Sequence, residues 1–289
     1  MHVNSETVIF IHIPKAAGTT FYQVLNHQYK AQHIQYIKEG MSKQRSIDAF
    51  RKLPEEKKTR LRCIRGHMPF GLHQWLPKPA TYITILRNPV NRVLSQYYYI
   101  RRTPVHPLHS ELIEKNVSLE AYVRMMSDIN TTNLQTRWLA GYVDFDSVMP
   151  PYEDLPADAL DLAKENIENF FSVCGLTERF DESLLLMRRI HGWKNVYYIR
   201  RNVGKRRSSK EQPPTATLRL IEKHEEKDLE LCEYASKRLT ETLNAHCIDD
   251  EQVRQFRTLN RLLGFPVWAC NTAYRILRTK IHTSLKNPE

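Results

Sequence analysis

The stretch VIFIHIPKAAGTTFYQVL, residues 8–25, changes in its middle from an apolar run to small and polar residues. It runs almost wholly apolar from Val8 to Ile13, which is typical of a strand covered on both faces. Pro14 and Lys15 end this run, and a Gly and two Thr then predict the start of a helix. A turn at a helix N-terminus presents backbone N–H groups and the positive end of the helix dipole. The stretch therefore predicts an anion-binding turn.

The position of Lys15 separates this turn from the loop that binds nucleoside triphosphates. That loop has the order GxxxxGK[ST], with the lysine after a second glycine, whereas Lys15 precedes Gly18. Gly18 relieves crowding, Thr19 and Thr20 add hydroxyl donors, and Lys15 supplies a mobile positive charge. An ordinary strand-to-helix turn with a solvated lysine fits the bare pattern about equally well. The stretch alone leaves its ligand open.

Strand and helix patterns alternate along the chain. We predict short strands at Val8–Ile13, Leu61–Ile64, Tyr82–Leu86, Phe171–Cys174 and Val196–Ile199. We predict helices at 19–29, 89–101, 118–127, 131–139, 157–169, 180–191 and 215–245. This alternation predicts an α/β fold, a three-layer P-loop-like domain with a central, mostly parallel sheet flanked by helices. The proline-containing segments 102–117 and 144–156 are predicted to be loops.

The last residues of the chain differ in composition. Residues 251–289 contain seven Lys or Arg against two Glu, and Gly264-Phe265-Pro266 divides them into two helix-like halves. We predict a main domain at 1–250 and a basic helical C-terminal extension at 251–289. The extension either docks on the domain or lies on an anionic membrane surface.

Composition limits the function classes. The net charge of +11, from 43 basic and 32 acidic residues, favours polyanionic partners. The sequence has no nucleic-acid recognition motif, so nucleic acid is not the expected partner. The five cysteines form no CxxC pair, which argues against a zinc site or a disulfide framework. No signal-peptide pattern or long apolar run is present, and we predict a cytoplasmic protein.

Two further segments place polar residues at predicted strand ends. Arg87 ends a buried strand, and Asn88-Pro89 then predicts a helix start, with Ser95 two turns into that helix. Arg87 and Ser95 could hold a second anion at the carboxyl edge of the same sheet. His67 follows Gly66 at another strand end, where it is a candidate base. A lone histidine is more often structural, and His12, His73, His106 and His109 lack a comparable context.

In this order, the three segments resemble the sulfotransferases that use 3′-phosphoadenosine-5′-phosphosulfate (PAPS). The resemblance is strongest to the carbohydrate group that contains the heparan and dermatan uronyl 2-O-sulfotransferases, and it covers about residues 10–245. In that family a P-K-[TA]-A-[GS]-T-[ST] turn binds the 5′-phosphosulfate, and R-[ND]-P with a helical serine binds the 3′-phosphate. A G-H-x-x-F segment carries the catalytic base, matched here by Gly66 to Phe70.

The resemblance implies a role for each matching residue. His67 would be the catalytic base, and Lys15 would neutralise charge on the leaving bisphosphate. PAPS, released as adenosine 3′,5′-bisphosphate, would be bound by Lys15, Ala16, Ala17, Gly18, Thr19, Thr20, Arg87 and Ser95, and by Arg206, Ser208 and Ser209 in a basic loop at 201–215. No metal is implied.

The acceptor stays open at this point. A basic surplus and the resemblance favour an acidic saccharide or a glycolipid, with Arg65, Arg101, Arg102 and Arg124 as candidates for a carboxylate-binding rim. The basic tail would suit a lipid-linked acceptor through peripheral membrane contact. Two departures bear on the acceptor: the vertebrate uronyl enzymes carry a Golgi anchor before the first strand, and one subgroup has a second histidine where Arg65 stands.

Three alternative functions also remain. A P-loop-type kinase shares the strand–turn–helix arrangement but not the lysine order. A metal-dependent glycosyltransferase could use Asp144-Phe145-Asp146 as a DxD motif, although no predicted strand precedes it. A non-catalytic basic protein could bind sulfated or phosphorylated glycans through its arginines.

Overall fold

The computed structural model describes residues 6–38, 42–142, 153–200 and 213–266. Within these ranges one parallel sheet has the strand order β2-β3-β1-β4-β5. The strands are β1 (Thr7–Ile11), β2 (Ile34–Ile37), β3 (Cys63–Gly66), β4 (Ala80–Leu86) and β5 (Phe171–Leu176). Every residue of β1 is buried, because helices cover both faces of the sheet. The predicted three-layer α/β fold with a parallel sheet is confirmed.

Helices connect and cover the strands. They are α1 (Gly18–Gln28), α2 (Ser42–Arg51), α3 (Glu55–Thr59), α4 (Pro89–Arg101), α5 (His109–Glu114), α6 (Leu119–Asp128), α7 (Leu134–Ala140), α8 (Ala159–Phe170), α9 (Phe180–His191), α10 (Thr215–His224), α11 (Glu226–Ala245) and α12 (250–266). The helices predicted at 89–101 and 180–191 have the predicted bounds. The short helix α5 lies inside 102–117, which the prolines suggested was a loop.

The predicted strand Val196–Ile199 is wrong. Val196 and Tyr198 are buried, which explains the apolar pattern. Its backbone, however, bonds to side chains instead of a neighbouring strand: the Tyr198 N–H donates to Asn260 Oδ1 at 2.8 Å, and Gln23 donates to the Ile199 carbonyl at 3.4 Å. The missed strand β2 is short, lies at the edge of the sheet and has partly exposed side chains, so its pattern is weak.

The predicted helix 215–245 is interrupted at Glu225, because a buried ion cluster holds this residue. The Nη2 group of Arg92 on α4 donates to both carboxylate oxygens of Glu225 at 3.0 Å. The Nε atom of Arg92 lies 4.0 Å from Asp228 of α11. The Asp228 carboxylate also accepts two backbone N–H groups at the start of α7. The cluster therefore joins α4, α7, α10 and α11.

The turn between β1 and α1 requires glycine at one position. Lys15 and Ala17 have left-handed backbones, with φ of 67° and 58°. A Cβ atom on Gly18 would overlap the imidazole ring of His12, which packs directly on this backbone. The end of β1 and the start of α1 are thus held in contact across the turn.

Helix α12 packs on the main core. Val253 and Phe256 are buried there, and the guanidinium of Arg257 pairs with Asp181 of α9 at 3.1 Å. The helix runs through Gly264-Phe265-Pro266, which the sequence suggested was a division. The rest of the predicted basic extension, residues 267–289, lies outside the described residues, and the domain division at 250 stays a prediction.

We predict that Arg92→Met lowers the free energy of unfolding by about 3–5 kcal/mol, because two buried carboxylates lose their cation. Urea denaturation followed by circular dichroism measures this loss. The control is Arg124→Met, which removes an exposed pair with Glu120 and should cost less than about 1 kcal/mol. Equal losses in the two variants would contradict the importance of the buried cluster.

We also predict that Gly18→Ala destabilises the protein by about 1–3 kcal/mol, because the added methyl group overlaps the His12 ring. Helix propensity alone predicts the opposite sign, a gain of about 1 kcal/mol. Urea denaturation of both single variants and of the Gly18→Ala, His12→Ala double variant separates these effects. If the overlap is real, the double variant should lose less free energy of unfolding than the two single variants lose in total. A loss equal to or greater than that total would argue against the overlap.

Candidate active site

Three strand ends meet at one edge of the sheet. Strand β1 lies between β3 and β4 in parallel register, so the segments that follow them lie side by side. The His12 N–H donates to the Gly66 carbonyl at 2.9 Å and extends this pairing past β1. Lys15, His67 and Arg87 each follow one of these strands, at the edge where ligands of such sheets bind.

The turn after β1 has the geometry of an anion site. The left-handed residues Lys15 and Ala17 flank Ala16, whose N–H donates to the Ile13 carbonyl at 3.2 Å. Helix α1 then starts at Gly18 with the positive end of its dipole at the turn. This arrangement suits a phosphate-like group more than a cation.

The side chain of Lys15 lies against helix α4. Its ammonium nitrogen sits 3.6 Å from the centroid of the Tyr99 ring, a distance typical of a cation–π contact. Ser95 precedes Tyr99 by one helical turn and lies on the same face of α4. The predicted binding residues Lys15 and Ser95 are thus brought to one side of the site.

Arg87 connects the turn to the interior. Its Nη1 group donates to the Lys15 carbonyl at 2.8 Å. The buried Gln135 of α7 accepts from the Arg87 backbone N–H and donates to the Arg87 carbonyl, both at 2.9 Å. Gln135 therefore fixes the main chain of Arg87. The role of Gln135 cannot be predicted from the sequence, because nothing local to α7 indicates a partner 48 residues earlier.

His67 lies against a second histidine. The ring centroids of His67 and His12 are 4.1 Å apart with planes at 34°, and both residues are buried. The Nδ1 atom of His12 is 2.9 Å from the hydroxyl of Tyr22. Burial lowers the pKa of His12 well below its ordinary value, and the nearby charges of His67, Lys15 and Arg65 add to this effect. The sequence pattern does not indicate a role for His12, since its partner His67 follows another strand.

The predicted acceptor-binding arginines occupy different surroundings. The Arg65 guanidinium lies 4.5 Å from the Tyr22 ring centroid, and it donates to the Tyr22 carbonyl at 3.2 Å, beside the two histidines. Arg101 donates to the Tyr97 hydroxyl at 2.9 Å, and Arg124 pairs with Glu120 on the surface of α6. Arg65 is therefore the predicted acceptor residue that contacts Tyr22, the hydrogen-bond partner of His12.

The structure adds little about the remaining predicted residues. Arg102 is the C-terminal cap of α4. Arg206, Ser208 and Ser209 lie outside the described residues, as does the Asp144-Phe145-Asp146 motif. Within the described ranges no group of three or more His, Cys, Asp or Glu side chains could hold a metal ion.

Comparison with known proteins places this chain in a family. A Drosophila melanogaster protein named "Heparin sulfate O-sulfotransferase" is 25% identical over 239 residues, which are 75% of this chain and 66% of that protein. The crystal structure of mouse sulfotransferase SULT7A1 complexed with PAP covers 90% of both chains at 11% identity, but its TM-score of 0.36 is too low to support an argument. The sequence profile of the galactose-3-O-sulfotransferase family matches residues 3–261. The resemblance to carbohydrate sulfotransferases is thereby confirmed, and the chain belongs to the galactose-3-O-sulfotransferase family.

Proposed function

We propose that this protein is an enzyme that transfers a sulfuryl group from PAPS to a hydroxyl of a saccharide, with His67 as the base. The observation that carries the proposal is the meeting of Lys15, His67 and Arg87 at one sheet edge, in a chain of a sulfotransferase family. Their proximity supports a site that combines an anion-binding turn, a candidate base and a guanidinium.

The donor fits two anion positions. The 5′-phosphosulfate lies in the turn from Lys15 to Thr20, where backbone N–H groups and the α1 dipole favour negative charge. The 3′-phosphate lies at Arg87 and Ser95, which select PAPS over nucleotides without that phosphate. Arg206, Ser208 and Ser209 complete the site over the nucleotide in this proposal. PAPS supplies the activated sulfuryl group and leaves as adenosine 3′,5′-bisphosphate.

The residues of the site then perform an in-line transfer. The Nε2 or Nδ1 atom of His67 accepts the proton of the acceptor hydroxyl as the acceptor oxygen forms a bond to sulfur. The bond between sulfur and the bridging phosphate oxygen breaks, and Lys15 neutralises the charge that builds on this oxygen. The protein forms no covalent bond to the sulfuryl group in this mechanism, so most of the rate acceleration comes from positioning and charge stabilisation.

The acceptor is proposed to be an acidic saccharide. The family is named for the 3-hydroxyl of galactose and the fruit-fly relative for heparin sulfate. The guanidinium of Arg65 lies next to the Tyr22–His12 pair, where a carboxylate or sulfate of the acceptor would reach it while a neighbouring hydroxyl meets His67. Arg101, Arg102 and Arg124 form a more distant rim in this proposal.

The alternative functions are less well supported. A P-loop kinase requires a lysine after the second glycine, and Lys15 precedes Gly18. A basic glycan-binding protein without activity would not need a histidine buried beside an anion-binding turn. Membership of a sulfotransferase family favours neither alternative.

We further propose peripheral contact with an anionic membrane, which would suit a glycolipid acceptor. Helix α12 exposes Leu262 and Phe265 to 67% and 64% at its C-terminal end, and the basic sequence 267–289 follows directly. Apolar side chains next to Lys and Arg favour binding at the surface of anionic bilayers. No helix among the described residues has the length and apolar character to span a membrane. A cytoplasmic location stays a prediction from the sequence.

The proposed function is tested by incubating the full chain with PAPS and a panel of galactosides, uronic-acid oligosaccharides and glycolipids. Mass spectrometry detects a new sulfate ester on the acceptor. We predict that His67→Ala lowers kcat by about 10²–10⁴-fold, because the base is lost. Adenosine 3′,5′-bisphosphate should still raise the melting temperature of this variant.

The control for His67→Ala is His191→Ala. His191 is another histidine with a ring neighbour, since it stacks on Trp193 and bonds to Ser172 near the opposite edge of the sheet. This variant should keep the activity of the wild type. Wild-type turnover by His67→Ala would remove His67 from its role, and stabilisation by ATP but not by the bisphosphate would favour a kinase.

We predict that the full chain sediments with phosphatidylserine-containing vesicles more than with pure phosphatidylcholine vesicles, and less at high salt. Leu262→Glu with Phe265→Glu should weaken this binding, because the exposed apolar contact is lost. The matched control is Val105→Glu, at an apolar residue that is 91% exposed elsewhere on the surface. Equal sedimentation with both lipids would count against electrostatic membrane contact.

A further inference from the structure

We propose that His12 is a positioning residue for His67, held in place by the hydroxyl of Tyr22. This inference deepens the proposed function and rests on it for the catalytic meaning of His67. The contact itself is a feature of the fold that can be measured without activity.

The ring of His12 is constrained on two edges. Its Nδ1 atom shares a hydrogen bond with the Tyr22 hydroxyl at 2.9 Å. Its Nε2 edge lies over Gly18, in space that any side chain at this position would occupy. The backbone of His12 is held as well, because its N–H donates to the Gly66 carbonyl. These contacts together hold the ring of His12 in place.

His67 packs on the face of this fixed ring. The centroids are 4.1 Å apart, and the ring of Trp138 on α7 is a second aromatic neighbour of His67, with centroids 6.2 Å apart. Contacts with both rings restrict the directions in which the His67 nitrogens can point. A base whose direction is fixed can lose on the order of 10²-fold in rate when it is misplaced by about 1 Å.

The charge state of His12 supports this role. Lys15 and Arg65 face its ring together with His67 and the Tyr22 hydroxyl, so two of these four titratable neighbours are cations. Burial and these charges lower the pKa of His12 well below its ordinary value, which leaves the ring neutral near pH 7. A neutral neighbour at this distance does not oppose the proton that His67 takes up, whereas a charged one would.

Core packing alone would also place an aromatic ring beside His67, but it does not require the polar arrangement. Packing is satisfied by any side chain of similar volume. The hydrogen bond with Tyr22, the glycine beneath the ring and the contact with the candidate base all converge on the ring of His12. Two complementary variants separate the two interpretations.

Tyr22→Phe keeps the His12 ring and removes the hydrogen bond. His12→Asn keeps a polar atom near the Nδ1 position and removes the ring. We expect each to lower kcat about ten- to a hundred-fold, with the KM for PAPS and the affinity for adenosine 3′,5′-bisphosphate unchanged. His191→Asn is the matched control, because it removes another stacked histidine, which bonds to Ser172 at the amino-terminal end of β5, and its kcat should equal that of the wild type.

A measurement that does not require catalysis tests the contact between His12 and His67 separately from the proposed function. In protein labelled with ¹⁵N-histidine, the ring signals of His67 should shift in Tyr22→Phe and His12→Asn but not in His191→Asn. Unshifted His67 signals, or an unchanged kcat in both site variants, would overturn the positioning role. A wild type without sulfuryl transfer to any acceptor would instead overturn the proposed function, while the signal shifts would still report the contact.

Discussion

The ion cluster of Arg92, Glu225 and Asp228 is the interaction on which the rest of the site depends. Two carboxylates and one guanidinium are buried together, and each oxygen finds a donor. Buried charges are tolerated only when they are paired and hydrogen-bonded in this way. Because Asp228 accepts from the N-terminus of α7, the cluster fixes a short helix that could not hold its own position.

From α7 the constraint reaches the candidate site through hydrogen bonds. Gln135 fixes the main chain of Arg87, and the Arg87 side chain reaches the carbonyl of Lys15. The carbonyl of Trp138 accepts from the Phe70 N–H at 2.8 Å and holds the loop that carries His67. One helix therefore supports two of the three segments that meet at the sheet edge. The geometry of the site depends on packing far outside it.

Much of this could be predicted from the sequence. Strand β1, its turn and α1 follow from local patterns, as do β4 and α4, where Asn88 and Pro89 define the helix start. Lys15, His67 and Arg87 were found because each stands at a strand end. His12 and Gln135 were missed because their roles come from partners distant in the chain. The wrong strand at Val196–Ile199 shows that burial gives the same apolar pattern with or without sheet pairing.

The contact between Lys15 and the Tyr99 ring has a consequence for donor recognition. A phosphosulfate that draws the ammonium into the turn must first separate it from the ring, at a cost of about 0.5–2 kcal/mol. A single small anion gains little binding free energy to offset this cost, whereas a donor that also engages Arg87 gains more. If the turn binds the donor as proposed, Tyr99 raises the threshold for weak anions such as free phosphate or sulfate, and occupancy of the turn then depends on the whole nucleotide.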